Sequence, residues 1–312
     1  MSYKNKLYFL LSIIGVLVLL YIGSFIFSPE GSDRRSSSYV WLDERHVSKI
    51  NKIDIHSGGQ DIELVKKDRE WFIIVDNIEY PAREHRIEDF MDILTKRSPW
   101  PVRSSNPSAH ASFGLETGQA DRVTFYDGNS NLLDILIGYD NVFGNEVSVR
   151  KFAQNEVRSG DTRIRTYVSS PAVSWYNLKL FPEEDGKIWS ADSVQQLTVV
   201  NDGQRQVFGR INRAWTVTGA ANPDKSGIDS YIRTVLNTEG DNFLGLISEE
   251  TQFTHSSIIV EFGNGKIVTV NLSEPDEGGN RLAFVSNRQF VYSIPAWSGG
   301  RLFRDAVSFE SQ

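Results

Sequence analysis

The densest run of ionisable side chains in the chain is Glu84-His85-Arg86-Ile87-Glu88-Asp89. His85 and Glu88 stand at i, i+3, so on a helix they share a face and are placed to hold a metal ion or relay a proton. Two ligands from one turn do not complete a metal site, which takes more donors from elsewhere. Ile87, Phe90, Met91 and Leu94 run through the same stretch at i, i+3, i+4, i+7, the stripe of a helix lying on a core. The charged residues therefore read as the solvated face opposite that stripe. His46, His56, His110 and His255 are scattered over expected loops and strands.

The other chemistry-bearing patterns resolve into turns and core. Gly263-Asn264-Gly265-Lys266 lacks the spacing and following helix of a phosphate-binding loop and reads as a hairpin turn. No GxSxG elbow, SxxK pair or HExxH occurs, which removes the common nucleophile and zinc signatures. Glu183-Glu184-Asp185 and Asp276-Glu277 lack the DxDxDG spacing that wraps calcium and read as solubilising turns. Asn271-Leu272-Ser273 fits a glycosylation triplet, a pattern too common to weigh. Trp71 and Trp215 are stacking candidates for a sugar or base, but each lies in an apolar strand run and reads as core. No catalytic, cofactor-binding or metal-ligating residue is assigned, no cofactor is expected, and the chain is read as a non-enzyme.

The elements around these residues recur. Trp215 falls 215 − 71 = 144 residues after Trp71, and Leu197-Thr198-Val199 stands 144 after Ile53-Asp54-Ile55. Ile228, Tyr231, Ile232 and Val235 repeat the helix stripe 141 residues on. Arg122 to Tyr126 with Asp127-Gly128, and Ile258 to Phe262 with Asn264-Gly265, both read as a strand entering a tight turn. Tyr167, Pro171-Ala172 and Trp175 are matched to Tyr292, Pro295-Ala296 and Trp297 as the closing landmarks. The expectation is a duplication of one α+β module, a mostly antiparallel sheet with one packed helix.

In order, the first module carries strands over Lys52 to Ile55, up to Val65 and over Trp71 to Val75. Pro81 stands near a helix start and Ser98-Pro99-Trp100-Pro101 ends that helix. Val102 to Ser112 is expected as an exposed loop, followed by strands at Arg122 to Tyr126, Leu132 to Gly138, Glu146 to Phe152 and Arg163 to Val168. Ser159-Gly160-Asp161 is read as a turn, and Pro171 to Leu180 as a short helix. Phe181 to Gly186 is the joint. The second module is expected as strands at Val194–Asn201, Gln204–Asn212 and Ala214–Gly219, the helix Lys225–Thr238, and strands at Ser257–Phe262, Lys266–Leu272, Arg281–Val285 and Gln289–Ile294.

Composition sets the class. The 312 residues suit about two domains, and 40% apolar with 23% charged residues is the make-up of a folding chain. With 40 carboxylates against 33 Lys and Arg there is no basic footprint for a phosphate backbone, so nucleic acid is not an expected partner. The chain has no Cys, which excludes disulfides, thiolate metal sites and a lipoprotein-type attachment.

Leu7 to Phe27 is 21 residues without a charge, long enough at ~1.5 Å per residue to cross a hydrocarbon core of roughly 30 Å. No A-x-A-like cleavage site follows, so the stretch reads as a retained anchor rather than a signal peptide. Lys4, Lys6 and the terminal amine precede it, against Arg34, Arg35, Glu30 and Asp33 after it, and the slight bias places the N-terminus in the cytoplasm. The organisation expected is a cytoplasmic tail 1–6, a transmembrane anchor 7–27, a flexible tether 28–38, a first module 39–182 and a second module 183–312.

The arrangement resembles an uncharacterised bacterial family of membrane-anchored proteins known as a domain of unknown function, often encoded beside an ABC-type transporter and a gliding-motility-type auxiliary subunit. The matching strings are Ile50 to Ile55, Leu64-Val65-Lys66-Lys67, Glu70-Trp71-Phe72-Ile73, the helix ending at Leu94, Ile137-Gly138 and Thr166-Tyr167-Val168-Ser169. Their second-copy counterparts are Lys187-Ile188-Trp189 and Phe290-Val291-Tyr292-Ser293. The chain departs from the pattern at residues 139–145, where the loop is plain. The resemblance implies a single-pass protein of the bacterial cytoplasmic membrane whose extracytoplasmic body is an accessory or scaffold to a transporter complex. It supplies no catalytic residues. The alternatives are a ligand-binding module using the groove between the repeats, with the small molecule unspecified, and an enzyme of unrecognised type.

Overall fold

The computed structural model describes residues 38–181, 189–212, 214–248, 253 and 256–310. The expected tail, the span 7–27, nearly all of the tether and the joint with Glu183-Glu184-Asp185 lie outside them. Among the described residues no helix is long and apolar enough to cross a membrane.

The chain is α+β, with two antiparallel sheets and few helices. The first half forms α1 (Glu44–Val47), β1 (Lys52–Ser57), β2 (Gln60–Lys67), β3 (Glu70–Val75), β4 (Ile78–Pro81) and α2 (Glu84–Thr95). It continues through β5 (Val102–Ser104), β6 (Asp121–Asp127), β7 (Ser130–Asp140), β8 (Glu146–Lys151), β9 (Val157–Asp161) and α3 (Arg163–Val168). The second half forms β10 (Val194–Asn201), β11 (Gln204–Ile211), β12 (Ala214–Val217), α4 (Lys225–Leu236) and β13 (Asn242–Leu246). After it come β14 (Ser256–Phe262), β15 (Ile267–Leu272), β16 (Arg281–Val285), β17 (Phe290–Ile294) and α5 (Ala296–Leu302).

Apart from β4, which has no counterpart in the eight-stranded second sheet, strand order is β3-β2-β1-β6-β7-β8-β9-β5 in the first sheet and β12-β11-β10-β14-β15-β16-β17-β13 in the second, the same path step for step. Register agrees as well. Ile53 pairs with Leu64 and with Phe125, while Leu197 pairs with Phe208 and with Val260. Alternation drives this, since Ile53 and Ile55 on β1 are fully buried and the polar residues between them are not. The β1–β2 turn uses Gly58 and Gly59 at φ +58° and +81°, and the β10–β11 turn uses Asp202 and Gly203 at +50° and +77°. Both are two-residue loops with positive φ, which match the twist of the strands they join.

On α2 the buried residues are Ile87, Phe90, Met91, Ile93 and Leu94, and on α4 they are Ile228, Tyr231, Ile232, Val235 and Leu236. Asp224 caps α4, its two carboxylate oxygens accepting from the Ser226 and Gly227 amides at 3.0 Å each.

The repeat and the compact unit divide the chain differently. The first unit holds residues through Val75 and Glu84–Pro171, and the second holds Asp76–Arg83 and everything from Ala172 on. Within that second unit Tyr80 stacks on Phe243 at 4.9 Å and lies 5.3 Å from Tyr176 and 5.2 Å from Phe290.

Several expectations are corrected. Arg163–Val168 is the helix α3, not a strand. Ile164 and Val168 are buried while Thr166 between them is exposed, so the spacing that mimicked strand alternation is i, i+4. Asp161 Oδ1 accepts from the Arg163 amide at 2.9 Å and starts the turn. Ser159-Gly160-Asp161 is part of β9, because a Cβ on Gly160 would meet Val149 Cγ2 at 2.8 Å and only a small residue fits the strand there. Between Pro171 and Leu180 only Ala172–Trp175 is helical, a single 3-10 turn. The expected loop Val102 to Ser112 contains β5 and two 3-10 turns, and α1, α3 and α5 are short helices beside the main helix expected in each half.

The closing landmarks are also corrected. Tyr167 lies on α3 and Tyr292 on β17, while Trp175 is buried and Trp297 is 66% exposed. The structural counterpart of Trp175 is Phe309. The Arg83 amide donates to the Trp175 carbonyl at 2.7 Å, and the Asp224 amide, 141 positions on, donates to the Phe309 carbonyl at 2.7 Å. Tyr167 with Tyr292, and Trp175 with Trp297, agree in residue type, whereas the hydrogen bonds follow backbone position.

Candidate functional site

Helix α2 carries the run that motivated a chemical reading. His85 points outward at 83% side-chain exposure, with Nε2 3.4 Å from Asp89 Oδ2 one turn on, and its ionic neighbour is Asp89 rather than Glu88. Glu88 is exposed. His56 Nδ1 lies 2.6 Å from Asp61 Oδ1 at the β1–β2 hairpin, and His110 Nε2 donates to the Asn155 carbonyl at 2.9 Å. His46 sits on α1, and His255 is outside the described residues. Among the described residues no three His, Asp or Glu side chains stand together as a metal set.

Trp71 and Trp215 are each 4% exposed and belong to the core. Gly263 to Lys266 forms the β14–β15 turn, where Asn264 Oδ1 accepts from the Lys266 amide at 3.0 Å and Gly265 has φ +83°. Asp276 accepts from the amides of Gly278 and Asn280 at 2.9 and 2.8 Å, so its carboxylate closes its own loop. Tyr231, on the buried face of α4, donates its hydroxyl to the Leu302 carbonyl at 2.5 Å. Burial pushes that phenol well above its ordinary value, which removes it as a base.

Two polar constellations assemble only in three dimensions. Ser159 Oγ donates to Glu146 Oε2 at 2.7 Å and accepts from Arg103 Nε at 2.7 Å, while Arg103 Nη2 reaches the same carboxylate oxygen at 2.8 Å. A hydroxyl on a carboxylate is the beginning of a nucleophile. Ser159 is fully buried, however, and the arginine occupies the carboxylate, so the group ties β5, β8 and β9 together and offers no approach to a substrate.

The second is Arg150, 5% exposed, on β8. Its Nη1 donates to the carbonyls of Phe152 and Gln154 at 3.0 and 2.8 Å, and Nη2 donates to that of Leu115 at 3.2 Å. Burial lowers its guanidinium pKa. Arg150 borders a cleft of about 530 Å³ with His110, Glu116, Thr117 and Gln119. Its Nε is buried without a partner, and its other donors are spent on main chain, so it clamps two loops rather than presenting a charge to the cleft.

The feature least explained by folding is the β7–β8 hairpin tip. Val142 is 99% exposed, Phe143 88% and Tyr139 59%. Asn141 ties the tip together: its amide donates to the Glu146 carbonyl at 2.8 Å, its carbonyl accepts from the Gly144 amide at 2.9 Å, and its side chain pairs with Asn145 at 2.7 Å. This is the stretch read as plain in the sequence. The signal available there was Val-Phe between Asn and Gly, apolar residues in a turn where polar ones are usual.

Comparison of the chain with protein-family models, with curated proteins and with solved structures found no match.

Proposed function

We propose that this chain is a tandem duplication of one α+β module, held at the bacterial cytoplasmic membrane by residues 7–27, whose extracytoplasmic body is a scaffold for protein partners in an ABC-type transporter or motility complex. The observation that carries the reading is the hairpin tip at Val142 and Phe143: two apolar side chains outside any core, on a hydrogen-bonded support, are suited to an apolar recess on a partner. The shared strand order of the two sheets supports the duplication. The resemblance in Ile50 to Ile55 and Glu70 to Ile73 supports the transporter setting.

The test places a photo-crosslinking residue at Phe143 of the full-length chain in intact cells. The expected adduct contains a transporter or motility-complex subunit and disappears when Val142 is changed to Ser. Adducts only with abundant unrelated envelope proteins, unchanged by Val142→Ser, would overturn the scaffold reading.

A further inference from the structure

The first described residues enter the first unit through a surface whose composition differs from the rest of an acidic chain. Tyr39 exchanges two main-chain hydrogen bonds with Ser98, at 2.9 and 3.1 Å. The Arg158 guanidinium lies 4.3 Å and the Lys151 ammonium 5.8 Å from the Tyr39 ring, and Arg158 Nη1 donates to the Trp100 carbonyl at 2.9 Å. Lys96, Arg97, Pro99 and Pro101 flank these groups and are exposed.

Charges around this end are unevenly matched. Arg158 is taken by Glu156 at 2.6 Å, Arg103 by Glu146 at 2.8 Å, and Asp161 by Arg163 at 2.7 Å. Lys96, Arg97 and Lys151 form no ion pair among the described residues, although Lys96 is near enough to help Arg163 hold the Asp161 carboxyl low, in a chain whose net charge is −7. The C-terminus of α2 accounts for a cation at Lys96 or Arg97. It does not account for Lys151 on β8, nor for Tyr39 and Trp100 beside it. Aromatic rings with Lys and Arg are the composition of a bilayer–water interface.

The chain outside the structure says what lies opposite. Residues 28–38 separate Phe27 from Tyr39, and eleven residues span at most about 40 Å when fully extended. We infer that Lys96, Arg97 and Lys151, with Tyr39 and Trp100, form a collar that docks the first unit onto anionic phospholipid headgroups. The inference rests on the proposed span at residues 7–27.

The absence of cysteine allows single-site reporters. The full-length chain carrying Pro101→Cys or Phe143→Cys, labelled with a fluorophore, is reconstituted into nanodiscs containing headgroup-quencher lipid, with or without phosphatidylglycerol in a phosphatidylcholine background. Stronger quenching is expected at position 101, inside the collar, than at 143, outside it. It should require phosphatidylglycerol and fall with salt. Lys96→Gln, Arg97→Gln and Lys151→Gln together should lower the docked-to-undocked ratio on the order of tenfold or more. Equal quenching in both lipids, no quenching at 101, or indifference to the triple substitution overturns the collar.

Retention in vesicles after an alkaline wash reports the span by itself. A chain that washes off yet rebinds phosphatidylglycerol vesicles at low salt sinks the span and keeps the collar. One that washes off and does not rebind sinks both.

Discussion

Trp71 and Trp215 occupy one position in two matching sheets, each the second residue of its strand and each opposite a cation on the neighbouring strand. Lys66 pairs with Trp71 and Arg210 with Trp215, their charged groups 5.7 and 5.2 Å from the indole centroids. The two sheets differ in what holds the indole nitrogen. Trp215 Nε1 donates to Asp229 Oδ1 at 2.8 Å, and Asp229 stands 229 − 88 = 141 positions after Glu88 on the equivalent helix.

That difference makes the second sheet the more sensitive. Asp229→Ala leaves the Trp215 N–H unpaired beneath α4 and should destabilise the chain by about 1–3 kcal/mol. Glu88→Ala, on an exposed side chain, should stay within about ±0.5 kcal/mol. Urea midpoints of the full-length chain in detergent, followed by tryptophan fluorescence, compare them directly.

Phe90 is fully buried, with its ring 5.7 Å from Phe125 and 5.2 Å from Tyr167. Phe90→Ala should cost about 3–5 kcal/mol through lost burial and the cavity left behind. His85→Ala on the opposite face should change stability by less than about 0.5 kcal/mol. A folded His85→Ala chain that fails to complement a deletion would reinstate a site on that face.

Gly138 is demanded by close backbone approach. A Cβ there would lie 2.0 Å from the Phe113 carbonyl oxygen and 2.9 Å from Leu115 Cγ. Gly138→Ala should therefore destabilise by about 1–3 kcal/mol or more, since the obstacle is backbone. Gly128→Ala, with open space at its Cβ, tests positive φ instead and should produce the smaller loss in Tm.

Asp224 gives a pH signature. Hydrogen bonds from the Ser226 and Gly227 amides hold its carboxyl below the ordinary value. A folded-state pKa below the unfolded one, about 3.9, means the stabilisation is complete above roughly pH 4 and is lost as pH falls through the folded value. Asp224→Ala should lower Tm at neutral pH, and its gap from the natural chain should close on acidification. A gap that persists unchanged to low pH would show that the cap acts without its charge.

How much was legible follows from the range of the interactions. Apolar period alone located the stripes Ile87 to Leu94 and Ile228 to Val235, the core strands at Ile53 and Leu197, and the 144- and 141-residue offsets that tie the copies together. These depend on neighbours a few residues away, which a linear pattern carries. Arg163–Val168 was misread because Ile164 and Val168 satisfy both periods, and only the surface that buries them selects the helix. Phe309 as the partner of Trp175 was invisible, since the two residues differ in type and agree only in which amide their carbonyls accept. Ser159 with Glu146 and Arg103, and Arg150 with Leu115, join residues 13 to 56 apart, so their chemistry exists only once the sheet is formed. Sequence thus determined the α+β class. The tertiary structure decided which polar groups are spent on the fold and which apolar ones, Val142 and Phe143, are left facing out, because burial is a property of the closed sheet and not of the chain.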